Sequence, residues 1–369
     1  MQLTVNRPDL LDAINRVIGG VEKRQTMPIL GNLLIEVDAD RLKLTGTDLE
    51  IQLESESPAQ VAQPGRTTVN ARKLHDIVRA IPAESQIGLR QEDGFVIVQA
   101  GQSVFRLACL AADEFPRMEG TTEEYRLVLP QDRLRTLLEK TQFSMAQQDV
   151  RYFLNGLLFE VSPERIRCVA TDGHRLALAE TDTEQTMADT LRIIVPRKMV
   201  MELMRALDRD DESSVELMVS TQQIELKLAQ QRMVSKLIDG RFPDYDRVIP
   251  KNNSKQVHVD RETLKQVLQR AAVLNTDRFA GAHYHLQADR LAIEAINSDQ
   301  ETSREEIPVH YQGEELKIAF NISYMLAILS HLDDMQVRMD FETPESSALI
   351  QPTDEESVRT RYVLMPMKI

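Results

Sequence analysis

LTVNRPDLLDAINRVIGGV, residues 3–21, carries the plan of the whole chain, because that plan recurs as LVLPQDRLRTLLEKTQFSM at 127–145 and as VHVDRETLKQVLQRAAVLN at 257–275. Each stretch reads as a short strand, a cap-like residue and then apolar positions at i, i+3, i+4 and i+7, the mark of a helix with one buried face. The faces are Leu10, Ala13, Ile14 and Val17; Leu134, Leu137, Leu138 and Thr141; and Leu264, Val267, Leu268 and Ala271. Only Thr141 breaks the apolar set.

A second family of segments interleaves with the first: TTVNARKLHDIVRAIP at 67–82, RIIVPRKMVMELMRALD at 192–208 and KIAFNISYMLAILSHL at 317–332. Their faces are Leu74, Ile77, Val78 and Ile81; Val200, Leu203, Met204 and Leu207; and Met325, Ile328, Leu329 and Leu332. Asn6, Asn70, Asp260 and Asn321 stand as N-caps, and Pro8 falls near a first helical position, where its missing N–H costs nothing. The six faces begin at 10, 74, 134, 200, 264 and 325, so the chain is six near-equal units. Units this long exceed the usual solenoid repeat of roughly 20 to 45 residues.

Between the helices lie alternating runs, NLLIEVDADRLKLTGTDLEIQLE (32–54), GLLFEVSPERIRCVATDGHRLALAE (156–180) and YHLQADRLAIEAINSDQE (284–301), each with polar turns joining strand-like segments. The expected fold class is therefore α+β: three repeated domains, each with two helices packed on antiparallel sheet. Polar EGTTEEY and KNNSK put the boundaries near 121 and 253, giving domains 1–121, 122–252 and 253–369.

With 44 basic and 58 acidic residues in 369, the chain carries −14 and cannot hold nucleic acid by bulk charge. Hydrophobic residues make up 42%, ordinary for a globular protein with real cores. No run approaches about 18 apolar residues and the N-terminus lacks the form of a signal peptide, so a cytoplasmic location is expected. Cys109 and Cys168 each sit in apolar stretches, RLACLA and IRCVAT, and read as reduced core residues.

Opposite the apolar faces, five of the six helices are basic. The residues are Arg16, Lys23 and Arg24; Arg72, Lys73 and Arg79; Arg133, Arg135 and Lys140; Arg197, Lys198 and Arg205; and Arg261, Lys265 and Arg270. Charge on one helix is usually a solvated face, but recurrence at repeat positions points to a shared basic lining. Six helices spaced about 9 Å apart close into a circle roughly 17 Å across, which one helix diameter of about 10 Å nearly fills. Twelve leave roughly 24 Å, enough for a duplex of about 20 Å. Two copies head to tail would thus enclose DNA, touching phosphates without reading sequence.

The strings MPILGNLLIEV, LTGTDLE, TVNARKLHDIVRAIP, FSMAQQDVRYFLNG, VATDGHRLALAE, IVPRKMVMELMR, SKLIDGRFPDYDRVIP and RYVLMPMKI resemble, over the whole chain, the beta sliding clamps of bacterial DNA polymerase III holoenzyme. The resemblance implies a head-to-tail homodimeric ring around duplex DNA, opened by a clamp loader and tethering the polymerase III catalytic subunit, other polymerases and repair proteins. It implies no enzymatic activity, and neither a cofactor nor a metal is expected. The family's DNA contacts transfer to Arg24, Arg72, Gln148, Tyr152 and Phe153, to which the basic faces add Lys73, Arg79, Arg197, Lys198 and Arg205. Phe153 departs from the pattern, since some relatives carry Tyr there, and has no hydroxyl for a phosphate. Tyr152 and Phe153 also read as sheet core.

A partner-peptide groove transfers to Leu154, Thr171, Gly173, His174, Arg175, Leu176, Pro243, Arg247, Val248, Asn321, Tyr324, Ser347, Val363, Met365, Pro366 and Met367. The residues themselves allow two readings of VLMPMKI: a last strand finishing a core, or a surface whose flexible methionines accept several apolar ligands. The dimer contact transfers to Phe105 and Leu107 on one side and Val273 and Leu274 on the other, in a neighbourhood whose polar and apolar alternation allows edge pairing without demanding it.

Two rival classes stand beside this reading. Asp172 and His174 in TDGHR, two apart, would share a strand face and could activate water, but GxSxG, a Gly-rich phosphate loop and HExxH are all missing from the sequence. His283 and His285 could ligate a metal from one strand face, with no further ligand cluster beside them. A non-DNA ring or scaffold binding short linear motifs is the second rival.

Overall fold

The computed structural model describes residues 1–22, 27–120, 124–183, 189–208, 213–274, 281–354 and 357–368. Six α-helices occur among them: α1 (Arg7–Val17), α2 (Ala71–Ala80), α3 (Gln131–Glu139), α4 (Arg197–Ala206), α5 (Arg261–Ala271) and α6 (Ile322–Ser330). Their apolar faces are the ones read from the periodicity. All are buried except Ile77 and Met204, which are half-buried. Thr141 is fully buried without loss because its hydroxyl donates to the Leu137 carbonyl at 2.7 Å.

Three of the four expected caps form. Asn70, Asp260 and Asn321 accept from the backbone N–H of Lys73, Thr263 and Tyr324 at 3.1, 2.7 and 3.1 Å. Asn6 does not cap α1, since its amide instead donates to the Asp9 carboxylate at 3.0 Å.

The alternating runs become three antiparallel meanders: Asn32–Asp38, Arg41–Thr47 and Ile51–Pro58; Gly156–Val161, Arg165–Thr171 and Arg175–Asp182; and Gly281–Gln287, Arg290–Ile296 and Thr302–Pro308. In the first, Gly20 just after α1 lies so close to the sheet that a Cβ would meet the Gly46 carbonyl at 2.6 Å. Only glycine fits there.

Packing divides the chain into two compact units, Met1–Gln131 with Asp211–Leu237, and Asp132–Asp210 with Ile238–Ile369. The reason lies in strand pairing. In the first unit, Gln231–Lys236 pairs with Ile51–Pro58, drawing the strands of the central repeat into one thirteen-stranded sheet with the N-terminal ones. In the second, Arg175–Asp182 pairs with Arg359–Leu364, so an eight-stranded sheet joins central and C-terminal repeats beside a four-stranded one. The central repeat is therefore shared between the units.

One device recurs in all three helix pairs: an arginine of the odd helix satisfies the C-terminal carbonyls of the even one. Arg7 donates to Val78 O and Arg79 O at 3.1 and 2.9 Å. Arg135 donates to Met204 O and Leu207 O at 2.5 Å each, and Arg261 to Leu329 O at 3.3 Å and, past the end of α6, to Asp334 O at 2.8 Å. Among the described residues no helix is long and apolar enough to cross a membrane.

Candidate functional site

In the second unit, the ends of three strands and two flanking segments enclose an apolar cleft of about 290 Å³. Its floor rests on the cluster of Leu158, Val169, Leu176, Leu178, Ile194, Phe242, Tyr245, Ile249, Leu349 and Val363. The turn between Arg165–Thr171 and Arg175–Asp182 forms one wall. There Thr171 Oγ1 donates to Arg175 O at 2.7 Å and accepts from Gly173 N at 3.1 Å. Asp172 Oδ1 accepts from the backbone N–H of His174 and Arg175 at 2.9 and 3.0 Å, and its Oδ2 takes Arg175 Nε at 3.1 Å. Asp172 thus builds the turn, and it meets the backbone of His174 where an acid–base pair would need the ring. Gly173 has φ +88, and a Cβ there would lie 3.0 Å from the Arg151 guanidinium.

A second wall comes from residues 149–155. Arg151 donates Nε and Nη2 to Asp149 at 3.0 and 2.8 Å, and these bonds hold the Asp149 carboxyl down at about 2. Asn155 closes the loop, its side chain accepting from Asp149 N and donating to Asp149 O at 2.9 Å each. The third wall is Pro243, Tyr245 and Val248, and the fourth is Val363 with Met365, the latter 45% exposed. The C-terminal segment is strapped in place by Met365 N to His174 O at 3.0 Å and Met367 N to Ala319 O at 2.8 Å.

Of the residues transferred to a groove, Leu154, Thr171, Gly173, Arg175, Leu176, Pro243, Val248, Val363 and Met365 line this cleft. His174, Asn321 and Tyr324 form an adjoining surface: the His174 and Tyr324 rings lie 6.2 Å apart, and the Arg175 guanidinium sits 4.5 Å over the Tyr324 ring. Arg175 joins the two, bonding Phe143 O at 2.7 Å as well. Arg247 is turned to Asp244 at 2.8 Å, and Ser347, Pro366 and Met367 are half-buried outside the lining. Sequence reading missed Arg151 and Tyr245 as lining residues, although both lie inside quoted strings. Phe153, transferred to DNA contact, also lines the cleft, with Tyr152 edge-on at 5.8 Å and 57% exposed.

The basic residues divide. Arg24 and Lys23 lie outside the described residues. Arg72, Lys73 and Arg79 on α2 and Arg205 on α4 are exposed, Arg197 and Lys198 half-buried, and Gln148 is exposed with φ 56. By repeat position Arg72 matches Lys198 and Arg79 matches Arg205, while α6 offers Ser323 and Ser330. Arg79 and Arg205 each keep an acidic neighbour one turn back, Asp76 at 3.6 Å and Glu202 at 2.5 Å. Others of the expected lining serve the fold. Lys140 is buried against Asp333 at 2.6 Å and His331 O at 2.8 Å, Arg133 reaches Thr181 at 3.0 Å, Arg270 pairs with Glu305 at 2.6 Å, and Arg135 and Arg261 hold helix ends.

The remaining residues fall in four places. Phe105 is exposed and Leu107 half-buried on strand Ser103–Leu110, which pairs along its length with Phe95–Ala100 but only at Cys109 and Leu110 with Gly65–Asn70. Val273 is 80% exposed beside half-buried Leu274. Cys168 is buried, and burial pushes its thiol up, whereas Cys109, read as a core residue, is only half-buried. His283 and His285 face each other at 6.4 Å, His285 lying 3.6 Å from Glu294.

Comparison with known proteins matches three family models in succession: the DNA polymerase III beta subunit N-terminal domain at residues 1–119, central domain at 128–244 and C-terminal domain at 246–368. The chain belongs to the DNA polymerase III beta subunit family. The beta sliding clamps of Pseudomonas putida and Escherichia coli K12 are each 42% identical to it, over the full length of both chains. Among solved structures, the Pseudomonas aeruginosa sliding clamp matches at 40% identity with a TM-score of 0.94, and the Caulobacter crescentus clamp at 34% and 0.92, each covering all of both chains. One Pseudomonas aeruginosa clamp was solved bound to griselimycin, with the same 0.94 and 40%. Membership fixes the α+β architecture of three repeated beta-subunit domains, and it accounts for the period of the helix faces.

Proposed function

We propose that the chain works as a DNA sliding clamp. Two copies close head to tail around duplex DNA without sequence preference, and the ring tethers the replicative polymerase and other replication and repair proteins for processive synthesis. The domain limits in this reading are 1–121, 122–252 and 253–369. The observation that carries it is repetition with charge: α2 and α4 present cations at matching repeat positions, Arg72 with Lys198 and Arg79 with Arg205, on a chain that is otherwise strongly acidic. The proposed DNA face also takes in Arg24, Lys73, Gln148, Tyr152 and Arg197. An anionic exterior with a cationic lining lets the ring slide while enclosure prevents loss.

For ring closure we assign Phe105 and Leu107, with Val273 and Leu274 of the second copy. Two features favour edge pairing there: the outer side of Ser103–Ala108 has no strand partner among the described residues, and Thr302–Pro308 is an edge of the four-stranded sheet. The cleft at Leu176, Val248, Val363 and Met365 is the docking groove for short apolar motifs of polymerases, the clamp loader and repair proteins. The ring acts without catalysis or cofactor, in the cytoplasm.

Sedimentation gives the first test, with a dimer at twice 42.1 kDa expected at micromolar concentration. The second follows protein loaded onto circular DNA by a clamp loader. It is retained until the circle is cut and then runs off the ends; equal retention on both forms means ordinary binding and ends this reading.

A further inference from the structure

Beyond the cleft, the same sheet face carries a ladder of charge. Residues two apart on a strand share a face, so Leu176 in the cleft, Leu178 beneath it and Glu180 look the same way, Glu180 lying about 7 Å past Leu178. Directly opposite residues then alternate in sign across five strands, from Arg192 to Glu160, Arg167, Glu180 and Arg359. The close bonds are Arg192 to Glu160 and Arg167 to Glu180, both 2.7 Å, while Arg359 is held bidentate by Asp182 at 2.9 and 2.6 Å. Cross-strand pairing accounts for this row as a clasp between the central and C-terminal strands.

Arg165 and Arg361 stand outside that row: Arg165 is opposite Asp182, whose close bonds come from Arg359, and Arg361 is opposite Leu178. Each is 42% exposed and stands at the rim of the ladder, 3.4 and 3.6 Å from Glu180, whose near bonds already come from Arg167. Among the described residues of this cluster five guanidiniums meet three carboxylates, Glu160, Glu180 and Asp182. Among the described residues that leaves two positive charges at the surface of a chain whose net charge is −14. The ladder itself reaches the cleft, because Tyr245 lines the cleft and accepts from Arg167 Nη1 at 2.7 Å through its hydroxyl.

We propose that Arg165 and Arg361 form a second docking subsite, taking acidic side chains that flank the apolar segment of a peptide bound in the cleft; this rests on the reading of the cleft as a peptide groove. An exposed guanidinium offers a fork that a carboxylate fills with two bonds. A peptide suits the place better than nucleic acid, since the subsite begins where an apolar cleft ends. Partners with acidic residues beside their motif are thereby ranked above partners without them.

The test uses full-length protein and fluorescein-labelled peptides in anisotropy titrations: a leucine- and phenylalanine-rich hexapeptide, and the same hexapeptide extended at either end by four glutamates. At low salt, about 50 mM, one extension tightens binding about fivefold, and the gain fades at about 500 mM. R165Q/R361Q loses the gain but binds the bare hexapeptide as before, which also reports that it is folded, since Glu180 keeps Arg167 and Arg359. R165K/R361K recovers much of the gain. If neither extension helps, or the gain survives R165Q/R361Q, the subsite does not exist. If the bare hexapeptide fails to bind, the groove reading falls first and takes the subsite with it. A single-stranded oligonucleotide that binds and is lost in R165Q/R361Q, with the glutamates inert, makes the patch a nucleic-acid site and overturns the proposal.

Discussion

Glu180→Leu is the perturbation whose size the structure fixes best. The Glu180 side chain is 2% exposed and bonded to Arg167, itself only 15% exposed, at 2.7 Å, with Arg165, Arg359 and Arg361 within 3.4 to 3.6 Å. Removing one partner of a buried pair costs about 3–5 kcal/mol, because the other charge is stranded. Arg167 keeps Glu160 at 3.4 Å and Tyr245 at 2.7 Å, so the lower end, about 3 kcal/mol, applies. For a body the size of the second unit that is a fall of roughly 6–12 °C in its midpoint, read by calorimetry. Adding Arg167→Met restores part of the loss, since an apolar pair strands no charge. A fall under about 3 °C, or strict additivity in the double variant, refutes the reasoning. The pH dependence has a definite sign. Burial pushes the Glu180 carboxyl up, but the bond from Arg167 and the charges of Arg167, Arg165 and Arg361 outweigh it and hold the group below its ordinary 4.5. Its contribution is therefore complete above about pH 4.5 and is lost as pH falls through the depressed value, and Glu180→Leu flattens the acid limb of the stability curve.

Three shorter predictions follow from the same geometry. Gly173→Ala forces φ +88 on a residue with a Cβ and pushes that atom against Arg151, so thermal denaturation shows a loss of about 1–2 kcal/mol and peptide titration a weaker groove. Deleting residues 365–369 removes Met365 and the strap to Ala319, abolishing peptide binding while sedimentation still finds the dimer; unchanged affinity removes the segment from the groove. Replacing Arg72 or Arg79 by Ala weakens DNA association and lowers its log–log salt slope by about 0.9 for each phosphate no longer neutralised, whereas Arg261→Ala, which frees helix carbonyls, lowers stability instead.

Helix faces and caps were legible because they are local. Leu10 and Val17 are buried for the same reason that their spacing matches a turn, and Asp260 caps α5 because its acceptor reaches a donor three residues on. Asn6 broke the pattern through an equally local competitor, Asp9. The lining of the cleft was legible through resemblance in Leu176, Pro243 and Val363, but not in Arg151, whose place depends on its bonds to Asp149 and on the open space above Gly173. The basic faces misled in part. Nothing in the spelling of Arg135 or Lys140 tells a cation facing solvent from one that satisfies a helix end or a buried carboxylate.

The amino-acid order alone determined the period of the chain, the number and faces of its helices, its meanders and its family, since each depends on residues within one or two turns or on strings long enough to be distinctive. Tertiary structure alone decided which strands meet: Ile51–Pro58 with Gln231–Lys236, and Arg175–Asp182 with Arg359–Leu364. Those pairings join residues some 180 positions apart, and alternation says which face a strand buries without saying which strand lies beside it. From the second of them come both the cleft and the arginine ladder that borders it.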